Sequence, residues 1–183
     1  MILIKELDNE RLEDFFHYLN IHISENGQNG AMLYFPLSKV QSILSNELII
    51  KFKEGLSKNI GENGWRKVWI AFNEEGKFIG HIDIRSNNQL NSEHRVLLGM
   101  GVDINFRSLK IGQNLLEFII EYCRQNPKIN WIDLEVMTKN IPAKNLYEKM
   151  GFEHLSTTKD MFRIDKVSYD YTSMTLNVEN QVE

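Results

Sequence analysis

The stretch Leu98-Gly99-Met100-Gly101-Val102-Asp103-Ile104-Asn105-Phe106-Arg107-Ser108-Leu109-Lys110-Ile111-Gly112-Gln113-Asn114-Leu115-Leu116 decides the architecture, because the hydrophobic period changes inside it. Arg95 to Ile104 is an apolar run, the pattern of a strand covered on both faces. Gly99 and Gly101 interrupt it, and glycines inside a strand mark a bulge or a close backbone approach. Beyond the turn, Ile111, Leu115, Phe118, Ile119 and Tyr122 recur at helical spacing. The spacing predicts a helix from about Ser108, ending before Pro127. The first amides of a helix lack internal partners and sit at the positive end of its dipole, which suits an anion. Gly112 permits a close approach there and Lys110 adds a positive charge. On the residues alone, a phosphate site and an ordinary strand-to-helix turn with a solvated lysine both remain open.

Working outward, Trp131 to Met137 alternates, with Ile132, Leu134 and Val136 on one face and Asp133 and Glu135 on the other. The unit from Arg95 to Met137 is therefore β–α–β, which demands a parallel strand pair with a right-handed crossover. Val68 to Phe72 and Phe78 to Ile84 form a hairpin around Asn73-Glu74-Glu75-Gly76-Lys77. Ser86 to Glu93 loops out. Upstream, Leu12, Phe15, Phe16, Leu19 and Ile23 predict an amphipathic helix within Leu7 to Ile23. Glu25 to Gly30 reads as loop, and Asn46 to Ile60 as a second helix. Downstream, Ala143, Leu146, Tyr147 and Met150 make a short helix face stopped by Gly151. Phe152 to Leu155, Met161 to Ile164 and Tyr169 to Val178 read as closing antiparallel strands, with Glu179 to Glu183 frayed. The fold class is α/β (α+β), a mixed twisted sheet flanked by helices.

At 183 residues the chain fits a single domain spanning 1–183. The acidic balance, 21 basic against 25 acidic residues, argues against nucleic acid as the main partner. Cys123 stands alone, so no intramolecular disulfide can form and a reducing cytosol fits. The start of the chain lacks the basic flank and apolar stretch of a signal peptide, and no stretch approaches the ~20 apolar residues of a membrane span. The expectation is a cytoplasmic protein without a membrane partner. His17, His22, His81, His94 and His154 show no metal-ligand spacing, so no metal is expected.

Two blocks of sequence resemble one family. Val102, followed by Arg107-Ser108-Leu109-Lys110-Ile111-Gly112, is similar to the pyrophosphate-binding motif Q/R-x-x-G-x-G/A of the GNAT superfamily of acyl-CoA-dependent N-acetyltransferases. Lys110 stands where the inner glycine usually sits. Leu134-Glu135-Val136, Asn140, Ala143 and Leu146-Tyr147-Glu148-Lys149-Met150-Gly151-Phe152 resemble that family's closing motif, a strand followed by N-x-x-A-x-x-L-Y-x-x-x-G-F. The resemblance is strong over Val68 to Phe152. It implies a cofactor-binding core at 68–152, a variable helical part at 1–64 and closing strands at 153–178.

The resemblance further implies that acetyl-CoA lies where the strands around Gly99–Ile104 and Trp131–Met137 splay apart. Met100, Gly101 and Val102 would pair with its pantetheine arm in the manner of an added strand. The amides from Arg107 and Ser108 through Leu109, Lys110, Ile111, Gly112 and Gln113 would hold the pyrophosphate. Asn140 would contact the cofactor and also cap a helix. The implied reaction is direct transfer of acetyl to a primary amine, a small molecule being favoured over a protein α-amine or a non-catalytic acyl-CoA-binding role. The amine must lose its proton, since an alkyl ammonium titrates near pH 10.4. The oxyanion needs a donor near Val102. Tyr147 would donate to the leaving thiolate, and Glu135, made a better base by partial burial, would take the amine proton. Glu25, Asp83 and solvent are rivals for that base. Tyr169-Asp170-Tyr171 would line either the acceptor pocket or the seam of a homodimer.

Overall fold

The computed structural model describes residues 2–28, 32–87 and 89–179. Among the described residues, seven strands form one sheet in the order β1-β2-β3-β4-β5-β7-β6. They are β1 (Leu3–Glu6), β2 (Arg66–Phe72), β3 (Phe78–Ser86), β4 (Arg95–Val102), β5 (Trp131–Met137), β6 (Glu153–Ile164) and β7 (Val167–Asn177). Helices α1 (Leu12–Ser24) and α2 (Asn46–Leu56) precede β2, α3 (Ile111–Arg124) joins β4 to β5, and α4 (Ile141–Lys149) precedes β6. Among the described residues, no helix is long and apolar enough to cross a membrane.

The expected hairpin is β2–β3. Gly76 takes a left-handed φ of 74°, and the Asn73 side chain accepts from the amides of Glu75 and Lys77. Strand β1 escapes sequence reading because it is four residues long and mostly exposed, with no alternation to betray it; it pairs antiparallel along β2 from Leu3↔Phe72 to Glu6↔Trp69. Helix α2 ends at Leu56, before the expected Ile60. Residues 57–64 instead form turns in which the Glu62 carboxylate accepts from the Asn59 amide. The two short closing strands are one strand, β6, whose pairing with β7 is irregular between Thr158 and Phe162 around the left-handed Asp160. Residues 180–183 of the expected frayed end lie outside the described residues.

Two cores sandwich the sheet. On one face α3 buries Ile111, Leu115, Leu116, Ile119, Ile120 and Cys123 against Ile82, Ile84, Val96, Leu98, Ile132, Leu134 and Val136. A fully buried aliphatic side chain contributes roughly 1.5–3 kcal/mol, so this helix is held mainly by its apolar face. On the other face Phe15, Phe16, Tyr18, Leu19 and Ile23 of α1 join Phe52 of α2 against Val68, Ile70 and Phe78. The burial of Cys123 pushes its thiol up to about 12, which makes it an inert core residue.

The β4–β5 pair positions the site. It is parallel and short: Arg95↔Trp131, Val96↔Ile132 and Leu97↔Asp133. Beyond Leu97, β4 stays with β3 as far as Val102↔Gly80, whereas β5 follows β7 as far as Met137↔Tyr171. The two central strands therefore part company, and the edge of β4 facing β5 from Leu98 to Val102 is left unpaired. Arg95 clamps the closed end with two hydrogen bonds to Asp133, at 2.7 and 2.5 Å. A charged fork against a carboxylate fixes geometry better than a single contact.

Candidate active site

Strand β4 runs into Asp103, which caps a single 3₁₀ turn (Ile104–Phe106) by accepting from the Asn105 amide at 2.9 Å. Helix α3 then starts at Ile111, three residues later than expected. The reason is local: Ser108 and Lys110 both adopt left-handed backbone, with φ of 64° and 62°, and left-handed residues cannot begin a right-handed helix. Lys110 thus supplies with a lysine the conformation that the motif's inner glycine would supply without strain. The first helical bond runs from the Asn114 amide to the Lys110 carbonyl at 3.0 Å, so the amides of Ile111, Gly112 and Gln113 have no partner within the helix. The sequence predicts a close approach at Gly112. A β-carbon there would lie 3.1 Å from Leu146 Cδ2, so this glycine chiefly lets α3 approach α4. Lys149 of α4, which sequence reasoning passed over, reaches back to Gln113 Oε1 at 3.0 Å.

Gly99 and Gly101 make no bulge. The β3–β4 register runs unbroken from Gly80↔Val102 to Ser86↔Val96. Their missing side chains make room instead. A β-carbon on Gly99 would collide with Asp83 Oδ2, and one on Gly101 would collide with His22 Nε2 and lie 2.5 Å from His81 Cε1. The face of β4 beneath α1 is thus paved by polar side chains packed directly on the backbone.

Tyr147, on α4, is 8% exposed and meets Phe152 edge-on at 5.7 Å. Burial, then the nearby Tyr171, pushes its hydroxyl up to about 12, so the phenol stays protonated at neutral pH. Tyr171 is raised to about 12 as well, first by burial and then by Glu135. Tyr171 therefore sits electrostatically between Tyr147 and Glu135, the two residues proposed from sequence. Glu135 lacks the burial expected of it: it is the exposed residue of β5, opposite Ser173. The Asn140 side chain accepts from the Ala143 amide at 3.3 Å, which realises the capping role. Asp83 is 4% exposed and lies between Arg66, at 3.4 Å, and Arg85, at 3.2 Å. Two guanidiniums commit that carboxylate to ion pairing.

The side chain of Arg107 turns to the α1 side of the sheet. Its Nε donates to the Val102 carbonyl at 3.3 Å, Nη2 lies 3.9 Å from Glu25 Oε2, and the guanidinium covers the Tyr34 ring at 5.1 Å. There it joins a cluster that sequence reasoning met only through Glu25. His22 stacks between Tyr18 and Tyr34, with ring centroids 6.2 and 5.4 Å away, and meets His81 edge-on at 5.6 Å. The Tyr34 hydroxyl donates to the His22 carbonyl at 2.8 Å. Burial, reinforced by His81 and Arg107, lowers His22 to about 3; burial also lowers His81 to about 4. Both imidazoles are neutral. Burial and then Asp103 raise Glu25, against an opposing pull from Arg107. Asn26, read from sequence only as part of a loop, fastens the cluster. It is fully buried, accepts from the amides of Tyr34 and Phe35, and donates to Leu37 and Ser42. The helical period does place His22 on the inward face of α1, three residues after Leu19, which was the available signal.

A family model described as the acetyltransferase (GNAT) family matches residues 38–152. The L-amino acid N-acetyltransferase AaaT of Escherichia coli (strain K12) is 29% identical over 85 residues, which cover 46% of this chain and 52% of that protein. The N-alpha-acetyltransferase 50 of Danio rerio is 24% identical over 114 residues, 62% of this chain and 67% of that one. The chain thus spans about half the length of the first of these relatives. An acetyltransferase of the GNAT family from Streptococcus pneumoniae shares the fold, with a TM-score of 0.77 and 21% identity over 97% of this chain and 99% of the other.

Proposed function

We propose, since the chain belongs to the GNAT acetyltransferase family, that it transfers the acetyl group of acetyl-CoA directly to a primary amine, with a small-molecule amine as the acceptor. The observation that carries this reading is the parting of β4 from β5 after three paired residues, beside a turn whose amides have no helical partner. An extended chain fits the first feature and a pyrophosphate the second. Met100, Gly101 and Val102 would pair with the pantetheine arm. The amides of Arg107, Ser108, Leu109, Lys110, Ile111, Gly112 and Gln113 would cradle the pyrophosphate, and Asn140 would use its remaining amide hydrogens on the arm.

Acetyl-CoA supplies an acyl group already activated as a thioester. The protein must orient it, stabilise the developing oxyanion and assist the leaving sulfur. A backbone amide near Val102 would serve the oxyanion. Tyr147, kept protonated by burial, would donate to the sulfur. Glu135, exposed on β5, would draw the cationic amine toward the cleft. A small acceptor is favoured because Asn26 ties Tyr34, Phe35 and Leu37 to the end of α1, with the Tyr34 ring held under Arg107 of the cofactor turn.

The experiment is CoA release from acetyl-CoA across polyamines, aminoglycosides, amino acids and N-terminal peptides. The expected result is turnover with a small amine at least ten-fold above any peptide. Turnover confined to peptides would reassign the acceptor. Tight CoA binding without turnover on any amine would make the chain a binding module.

A further inference from the structure

The geometry points to Glu25 and His22 as the seat of the acceptor's ammonium group, with Glu25 the carboxylate that takes its proton. This rests on the acetyl-transfer reading of the cleft and deepens it by placing the amine.

Glu25, Asp83 and Glu135 are the carboxylates considered for the amine's proton, and their surroundings differ. Asp83 is held by two arginines, and Glu135 stands in solvent. Glu25 is mostly enclosed, yet its Oε2 is buried without a hydrogen-bond partner among the described residues. His22 Nδ1 is buried and unpartnered as well, on a side chain only 4% exposed. The two atoms lie 3.9 Å apart. That is too far for a hydrogen bond between them, but a nitrogen bearing several hydrogens reaches both at ordinary N–H···O and N–H···N lengths of about 3 Å. Buried polar atoms left unpaired cost about 1–3 kcal/mol each, so two of them side by side signal a missing donor. A primary ammonium is such a donor, and its charge suits a carboxylate.

The pair is also in the right place. Nε2 of the same imidazole fills the space that a β-carbon on Gly101 would take, on the part of β4 beyond its pairing with β5, where the acetyl group is expected. One ring therefore separates the carboxylate from the reacting strand. The groups facing Glu25 are His22 and Tyr18 from α1, Tyr34 from the following segment, and Asp103 and Arg107 from the turn after β4; His81 of β3 lies behind His22. Burial and Asp103 shift the Glu25 carboxyl upward, and Arg107 opposes that shift.

The step balances. Glu25 takes one proton from R–NH3⁺. The freed lone pair forms a C–N bond to the thioester carbon, whose π electrons move to oxygen. Collapse breaks the C–S bond, and Tyr147 protonates the thiolate. The second nitrogen proton returns to Tyr147 through water, and Glu25 releases its proton to solvent. The products are the amide, CoA and one proton.

Two measurements test this. For an amine turned over by the wild type, Glu25→Gln should lower kcat/KM by roughly 100- to 1000-fold and abolish the acidic limb of its pH profile, with CoA affinity unchanged within two-fold. Glu25→Asp should restore the limb. A surviving limb, whatever happens to amine affinity, overturns the proton transfer. Independently of turnover, methylammonium titrated into the CoA-bound protein should shift the ¹³C side-chain carboxyl resonance of Glu25. An unmoved resonance overturns the ammonium site. Failure of every amine to turn over, with that shift present, would sink the acetyl-transfer reading and leave the ammonium site standing.

Discussion

Replacing Gly101 with alanine probes the polar paving of β4 directly. Gly101 is buried and has ordinary strand backbone, so alanine brings no left-handed penalty. It would in fact reduce unfolded-chain entropy and stabilise by about 0.4–1 kcal/mol if space allowed. Space does not allow it. The new methyl would overlap His22 Nε2 and sit 2.5 Å from His81 Cε1. Neither ring can yield freely: His22 is wedged between Tyr18 and Tyr34, and His81 is fixed by Tyr18 at 3.2 Å and by Phe15 at 5.8 Å. Overpacking of this kind costs about 1–3 kcal/mol. The net loss should be about 1–2 kcal/mol, or about 2–8 °C in Tm for a chain of this size. Urea unfolding at pH 7.5 measures the first and calorimetry the second. Displacement of His22 should also depress turnover while leaving CoA affinity intact, because the cofactor edge of β4 is not altered. A variant as stable as the wild type within 0.4 kcal/mol would refute the claim that the imidazoles rest on this backbone.

Tyr147→Phe should retain the fold and CoA affinity and lower kcat by roughly ten- to a thousand-fold, read from steady-state CoA release; unchanged kcat would return Tyr147 to core packing. Lys110→Gly removes a left-handed strain worth about 1–2 kcal/mol and should leave CoA binding intact by calorimetry, its unfolded-state entropy offsetting part of the gain. Asn26→Ala strands the amides of Tyr34 and Phe35 and should cost roughly 2–4 kcal/mol in urea unfolding. The folded pKa of His22, about 3, and that of His81, about 4, lie below the unfolded value, so protons bind preferentially on unfolding between those values and about 6.5. Their contribution is intact above pH 6.5 and falls as the pH drops, by about 1.4 kcal/mol per pH unit for each histidine. Urea midpoints measured between pH 7 and 5 should show that decline, and His22→Phe, which keeps a ring in place, should flatten it.

Much of the architecture was legible because period and punctuation are local properties. The helical spacing of Ile111, Leu115, Ile119 and Tyr122, the alternation of Trp131 to Met137, and Gly76 in its turn each follow from backbone geometry within a few residues. The two motif blocks added the family, since a strand-to-helix turn with free amides imposes residue types at fixed spacing. The limits of locality show at β1, whose four mostly exposed residues carry no pattern, and at the start of α3. There, only backbone angles reveal that Ser108 and Lys110 are left-handed.

What tertiary structure alone decided was the environment of each charge. Glu25, Asp83 and Glu135 are three carboxylates that composition and alternation cannot rank. Folding places one beside an imidazole whose Nδ1 has no hydrogen-bond partner among the described residues, one between two arginines and one in solvent. The same holds for Gly99 and Gly101, whose purpose depends on side chains that reach them from β3 and α1. A residue's type and period are written in the chain, but its desolvation and its partners arise only when distant segments meet. Those two quantities determine whether a carboxylate holds a salt bridge, meets water or takes a proton.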